Sequence, residues 1–225
     1  SYQQVLDTAN IVRTGAQAEM VKHVGNRIAA SVDKYMKENG FESRLEGFEW
    51  EFNLIQDDNV NAWCMSGGKV AFYTGILPMC QDETGVAVVM GHEIAHAIAR
   101  HGNERVSQSL ALQGLATGTD LLLLIKEKPE AARDLVNIAY GVGGQLGMLA
   151  YGRRHESEAD EMGLTFMAMA GYNPSEAPAF WDRMGKLGGQ RPPLMLSTHP
   201  HPEKRQEDLR KLVPNAMVIY NQNKR

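Results

Sequence analysis

The sequence has little cysteine, no long apolar run and no excess of positive charge. Two cysteines, Cys64 and Cys80, are too few for a disulfide scaffold and lack the paired spacing of a structural zinc site. One disulfide in an oxidising compartment and two buried thiols both stay open. The longest strongly apolar run, Leu121 to Ile125, falls far short of the roughly 20 residues that span a bilayer. The chain thus reads as soluble, with no signal peptide. It opens on Ser-Tyr-Gln-Gln without an initiator Met, so a signal or anchor removed ahead of it is expected. A net charge of −4, with basic residues scattered apart from Arg153-Arg154 and Lys204-Arg205, argues against nucleic-acid binding. What is present is ordinary globular material: 225 residues, 43% of them apolar, enough for one buried core.

Apolar residues recurring at three and four predict a helix from about Ile11 to Asn39, stopped at Asn39-Gly40. Phe48, Trp50, Phe52 and Leu54 alternate with polar residues, as in a half-buried strand. Val60 to Met65 and Lys69 to Tyr73 form a hairpin about Ser66-Gly67-Gly68. From Thr84, a candidate cap, a helix runs to about His101. Others are expected from Glu104 into Leu124, from Glu130, over 153–170 up to Gly171, and from Ser175 to about Leu187. Gly188 to Pro193 reads as a loop, Glu203 to Leu212 as a short helix and Met217 to Tyr220 as a last strand. The order predicts a predominantly helical α+β fold with a small antiparallel sheet. Residues 1–40 would pack as an N-terminal helix on a domain of residues 41–225, a single domain overall.

The sequence His92-Glu93-Ile94-Ala95-His96 carries the chemistry. Two histidines four residues apart project from one helix face, so both imidazoles can take corners of a tetrahedral zinc site. Glu93 beside them is placed to act as general base on a metal-held water. Chance produces this motif about 0.02 times in a chain of this composition. Its flanks are apolar, so it lies on a buried helix, where such polar groups are costly without partners.

A catalytic zinc needs a third protein ligand and an open position. His101, His155, Glu156, Glu158, Asp160, His199 and His201 are downstream candidates. His101, five residues after His96, turns off the ligand face and reads as a polar helix end. Glu156 and Asp160 share a face at i, i+4. Glu156 could bind the metal while Asp160 accepts the N–H of a ligand histidine. On spacing alone a solvated charge run explains the same segment equally well.

His-Glu-Ile-Ala-His, followed about sixty residues later by Glu156-Ser157-Glu158-Ala159-Asp160, resembles the M48 family of zinc metallopeptidases, of the gluzincin type. Asn61-Ala62, Gly67-Gly68 and Tyr73-Thr74-Gly75 resemble that family's hairpin. Ser197-Thr198-His199-Pro200, with Arg205 six residues after His199, resembles its C-terminal motif. Gly152 departs from a Ser often found before the Arg matching Arg153. The similarity covers about residues 55 to 210 and is strongest to bacterial envelope members without a tetratricopeptide tail.

The resemblance implies a zincin-like fold, with the sheet beside the active-site helix. One Zn2+ per chain would be held by His92, His96 and Glu156, with Glu93 as base and Asp160 supporting a ligand. It implies His199 as a candidate fourth ligand and self-inhibitory switch, with Arg205 and Arg153 in support. Arg205 would steady that loop or the oxyanion; His199, Arg205 and Tyr151 are the candidates for a transition-state donor. It also implies a periplasmic or envelope-associated endopeptidase in protein quality control, cutting unfolded or misassembled polypeptides. Such substrates would add to an edge strand, Val60 to Met65 or Lys69 to Tyr73. Residues 106–152, apolar and glycine-rich between the ligand helices, are a candidate lid or surface for a membrane or envelope-protein partner; an ordinary helical hairpin is the alternative. The rival function is a chaperone-like binding module whose zinc site His199 keeps permanently closed.

Overall fold

The computed structural model describes residues 2–105, 107, 152–187, 194–199 and 202–224. The chain divides into two compact units, Ser1–Ala99 with Ser157–Arg225, and Arg100–Glu156.

The first unit opens with α1 (Tyr2–Thr8), β1 (Ile11–Val12) and α2 (Ala16–Glu38). The helix expected from Ile11 is therefore split. Gly15 sits at φ 101°, a backbone region that L side chains avoid. Ile11 and Val12 instead pair with Ile55 and Leu54. Val21, Val24, Ile28, Val32 and Met36 form one buried stripe of α2. That stripe packs on β2 and α4.

The sheet contains β2 (Glu51–Ile55), β3 (Ala62–Met65) and β4 (Lys69–Tyr73) in the order β1-β2-β4-β3. The β3–β4 hairpin forms as expected, turning through Gly67 and Gly68 at φ 89° and 81°. The sheet is mixed rather than wholly antiparallel. The second strand of the hairpin, not the first, lies beside β2, so Glu51 to Ile55 run parallel to Lys69 to Tyr73. This leaves β3 at the sheet edge, packed against α4. The small sheet among many helices is the α+β, zincin-compatible class expected.

After a short α3 (Leu77–Cys80) comes α4 (Glu83–Ile98). Its cap is Asp82, not Thr84: the Asp82 carboxylate accepts from the backbone N–H groups of Thr84 and Gly85. Every residue from Gly85 to Ala95 is buried. Cys64 and Cys80 are both free. Burial pushes both thiols up, and the nearby Glu93 carboxylate adds to the rise at Cys64.

Helix α5 spans 152–169 and stops at Gly171, φ 80°. Then follow α6 (Glu176–Lys186), α7 (Leu194–Thr198) and α8 (Pro202–Asn223). The expected last strand over Met217–Tyr220 is part of α8. Leu209, Leu212, Ala216, Ile219 and Tyr220 recur at helical spacing and join the core, so packing overrides the β-favouring Val-Ile-Tyr run. Pro214 lies within this helix.

In the second unit, residues 101–105 are helical. His101 is 2% exposed, not a solvated helix end. Its ring stacks on His155 at 4.1 Å, and His155 Nε2 lies 2.9 Å from Glu104 Oε2. Most of segment 106–152, the loop over 188–193, Tyr151 and His201 lie outside the described residues. Among the described residues, no helix is long and apolar enough to cross a membrane.

Candidate metal centre

Helix α4 presents His92, Glu93 and His96 at its buried C-terminal half; His92 is 3% exposed. Its partner is α5. The two helices cross at glycines, where a Cβ on Gly163 would stand 2.9 Å from the His92 backbone N. One on Gly91 would stand 2.7 Å from the Gly163 carbonyl oxygen. Only this close approach brings the α5 backbone against the ligand-bearing turn of α4.

Three imidazoles converge there. His96 Nε2 lies 3.0 Å from His92 Nε2, and His199 Nδ1 lies 3.2 Å from the same atom. His92, His96, Glu156 and His199 each offer one ligand atom, all within 4.8 Å of one another. Glu156 is carried on α5 one turn before Asp160. His199 is carried at the end of α7, which the buried Met195 pins by donating its backbone N–H to Val60 O. Its Nε2 also lies 3.3 Å from Glu93 Oε1.

Behind the cluster, His92 Nδ1 is 3.0 Å from Asp160 Oδ1 and 3.0 Å from Arg205 Nη2. A guanidinium only donates, so the two contacts call for opposite tautomers of His92. The tautomer with N–H at Nδ1 satisfies Asp160 and leaves the Nε2 lone pair facing the cluster. Arg205 then lies alongside, its Nε donating to Asp160 Oδ2 at 2.9 Å and its Nη2 to Oδ1. Burial pushes the Asp160 carboxyl up, but Arg205 and His92 outweigh it and hold the carboxyl below its usual value.

Arg153 and Glu158 are exposed, and His155 belongs to the His101 stack. Arg205 lies on Asp160, forty-five residues away in sequence. Sequence reasoning missed Trp181, whose ring carries the Arg205 guanidinium carbon 3.5 Å from its centroid. An aromatic on an amphipathic helix reads as core, so no local signal set it apart.

A family model described as Peptidase family M48 matches residues 22–213. The chain belongs to peptidase family M48. Among its relatives is the mitochondrial metalloendopeptidase OMA1 of Arabidopsis thaliana, 36% identical over 87% of this chain and 38% of that protein. OMA1 of Schizosaccharomyces pombe is 31% identical over 95% and 63%. The β-barrel assembly-enhancing protease of Escherichia coli K12 is 31% identical over 72% and 34%. The chain thus spans less than two thirds of each of these relatives.

M48 peptidases are zinc-dependent, and the donor set here suits zinc. Two nitrogens each about 2.0–2.1 Å from a tetrahedral zinc stand about 3.3 Å apart. The imidazole contacts of 3.0 and 3.2 Å come close to that. A nitrogen- and carboxylate-lined, buried cluster is also what a borderline cation selects.

Proposed function

We propose that this chain is a zinc metalloendopeptidase whose metal is held by His92, His96 and Glu156, with Glu93 as general base. The observation that carries this reading is the convergence of these donor atoms within 4.8 Å, two of them on the helix that also bears Glu93. Bound zinc would acidify a water and polarise the scissile carbonyl. Glu93, one residue from His92 and 5% exposed, takes the proton from that water and returns it to the leaving amine. Asp160 fixes the His92 tautomer and raises its basicity as a ligand. A polypeptide adds along β3, the outermost strand of the sheet, where backbone pairing gives affinity with little side-chain selectivity. That suits unfolded or misassembled protein as substrate. The β-barrel-assembly name of the Escherichia coli relative supports a bacterial envelope location; its mitochondrial relatives make fractionation the deciding experiment.

Cleavage of an unfolded polypeptide such as casein, measured with zinc content, tests the ligand set. His92→Ala and Glu156→Ala are expected to lose both together. A Glu156→Ala protein that kept both would require another third ligand.

The alternative, a binding module with a closed zinc site, draws on one feature. His199 faces His92 through Nδ1 and Glu93 through Nε2, so it can fill the open position and occupy the base together. We infer a self-inhibited resting enzyme rather than a permanently closed one. His199→Ala is then expected to cleave faster than wild type at equal zinc content. A drop in cleavage would instead make His199 a contributor to the reaction.

A further inference from the structure

Four helices of the first unit meet at one buried charge. Arg205 of α8 is 5% exposed, and a guanidinium so deeply buried must be paired. Asp160 of α5 takes it edge-on, with Nε donating to Oδ2 at 2.9 Å and Nη2 donating to Oδ1. Trp181 of α6, 2% exposed, takes it face-on, with the guanidinium carbon 3.5 Å above the ring centroid. The same indole meets the ring of His92 on α4 edge-on, at 6.1 Å and 71°.

A carboxylate holds a guanidinium within their common plane; it does little against tilting out of it. A flat aromatic surface supplies the missing constraint, and cation–π attraction is strongest for tryptophan in a desolvated site. Asp160 Oδ1 is the atom facing His92 Nδ1 at 3.0 Å. Whatever fixes the plane of Arg205 therefore fixes the carboxylate, and the carboxylate fixes the ring of His92.

We propose that Trp181 is a positioning residue for the metal ligand His92, acting through Arg205 and Asp160 and by its own edge contact with the imidazole. Its role is to position a ligand through its neighbours, not to be one. The inference rests on the zinc reading of His92 given above. It assigns to a core tryptophan a share of the metal affinity.

The test is zinc affinity, read by competition with a chromogenic chelator well below each protein's unfolding temperature. Trp181→Leu is expected to bind zinc roughly 10–100-fold more weakly, the range for losing a residue that orients a ligand. Trp181→Phe, which keeps a flat ring under the guanidinium, recovers most of that loss. In an Arg205→Met background, Trp181→Leu costs less than it does alone, because the route through Arg205 is already cut and only the edge contact with His92 is left to lose. A folded Trp181→Leu protein within about twofold of wild-type affinity, or fully additive losses in the double variant, overturns the proposal. A wild-type chain without stoichiometric zinc overturns this and the proposed function together. Full cleavage by Glu93→Gln sinks only the peptidase reading, and the zinc comparison still decides the role of Trp181.

Discussion

The Asp160 carboxyl is buried, and burial alone would push it up; Arg205 and His92 pull it below the ordinary carboxylate value instead. A group with a depressed folded value contributes stability that is fully present above its unfolded value. That contribution is lost as pH falls through the folded one. Removing one partner of a buried ion pair typically costs about 3–5 kcal/mol. Asp160→Asn, compared with wild type by urea unfolding of metal-free protein, should therefore be less stable at neutral pH. The gap should narrow on acidification below the usual Asp range. A gap that stays constant with pH would contradict the assignment. Residues were unequally legible at this scale. His92, Glu93 and His96 announce themselves because one helical turn aligns them. Glu156 and Asp160 share a face with equal clarity, yet spacing alone did not separate a ligand pair from a solvated charge run. The Arg205–Asp160 and Arg205–Trp181 contacts join three helices, and no sequence period records such a meeting.

At the scale of elements, the centre depends on how closely α4 and α5 approach. Gly163→Ala tests this with a sign. Alanine ordinarily favours a helix over glycine by about 1 kcal/mol, so a loose crossing would be stabilised. Here a Cβ would stand 2.9 Å from the His92 backbone N and 3.1 Å from its Cα, and backbone cannot yield cheaply. The expected result is a loss of about 1–3 kcal/mol in thermal or urea unfolding, with weakened zinc retention. Stabilisation would show that the helices can part without harm. The sequence-readable elements were those with an unbroken period: α2 beyond Gly15, α4, and the hairpin at Gly67-Gly68. The failures have local causes. Pro214 reads as a breaker, hiding a stripe that continues from Leu209 through Ala216 to Tyr220. The parallel β2–β4 pairing depends on which hairpin strand lies beside β2, which strand periodicity does not encode.

For the whole molecule, membership of peptidase family M48 and relatives in both mitochondria and bacteria frame one account. In it, we infer that the α4–α5 crossing, the Asp160–Arg205–Trp181 contacts and the Met195 anchor of α7 hold the candidate ligands His92, His96 and His199 in place. The chain spans less than two thirds of those relatives, so substrate choice is a property to be tested on this chain rather than carried over from them. On our reading Glu93 does the proton transfer at a zinc held by its neighbours. The direct measurement is casein cleavage by Glu93→Gln beside wild type, with zinc content determined on the same samples. Zinc retained at one per chain with cleavage reduced by roughly 10²–10⁴-fold is the predicted result; unchanged cleavage by the variant would contradict the account.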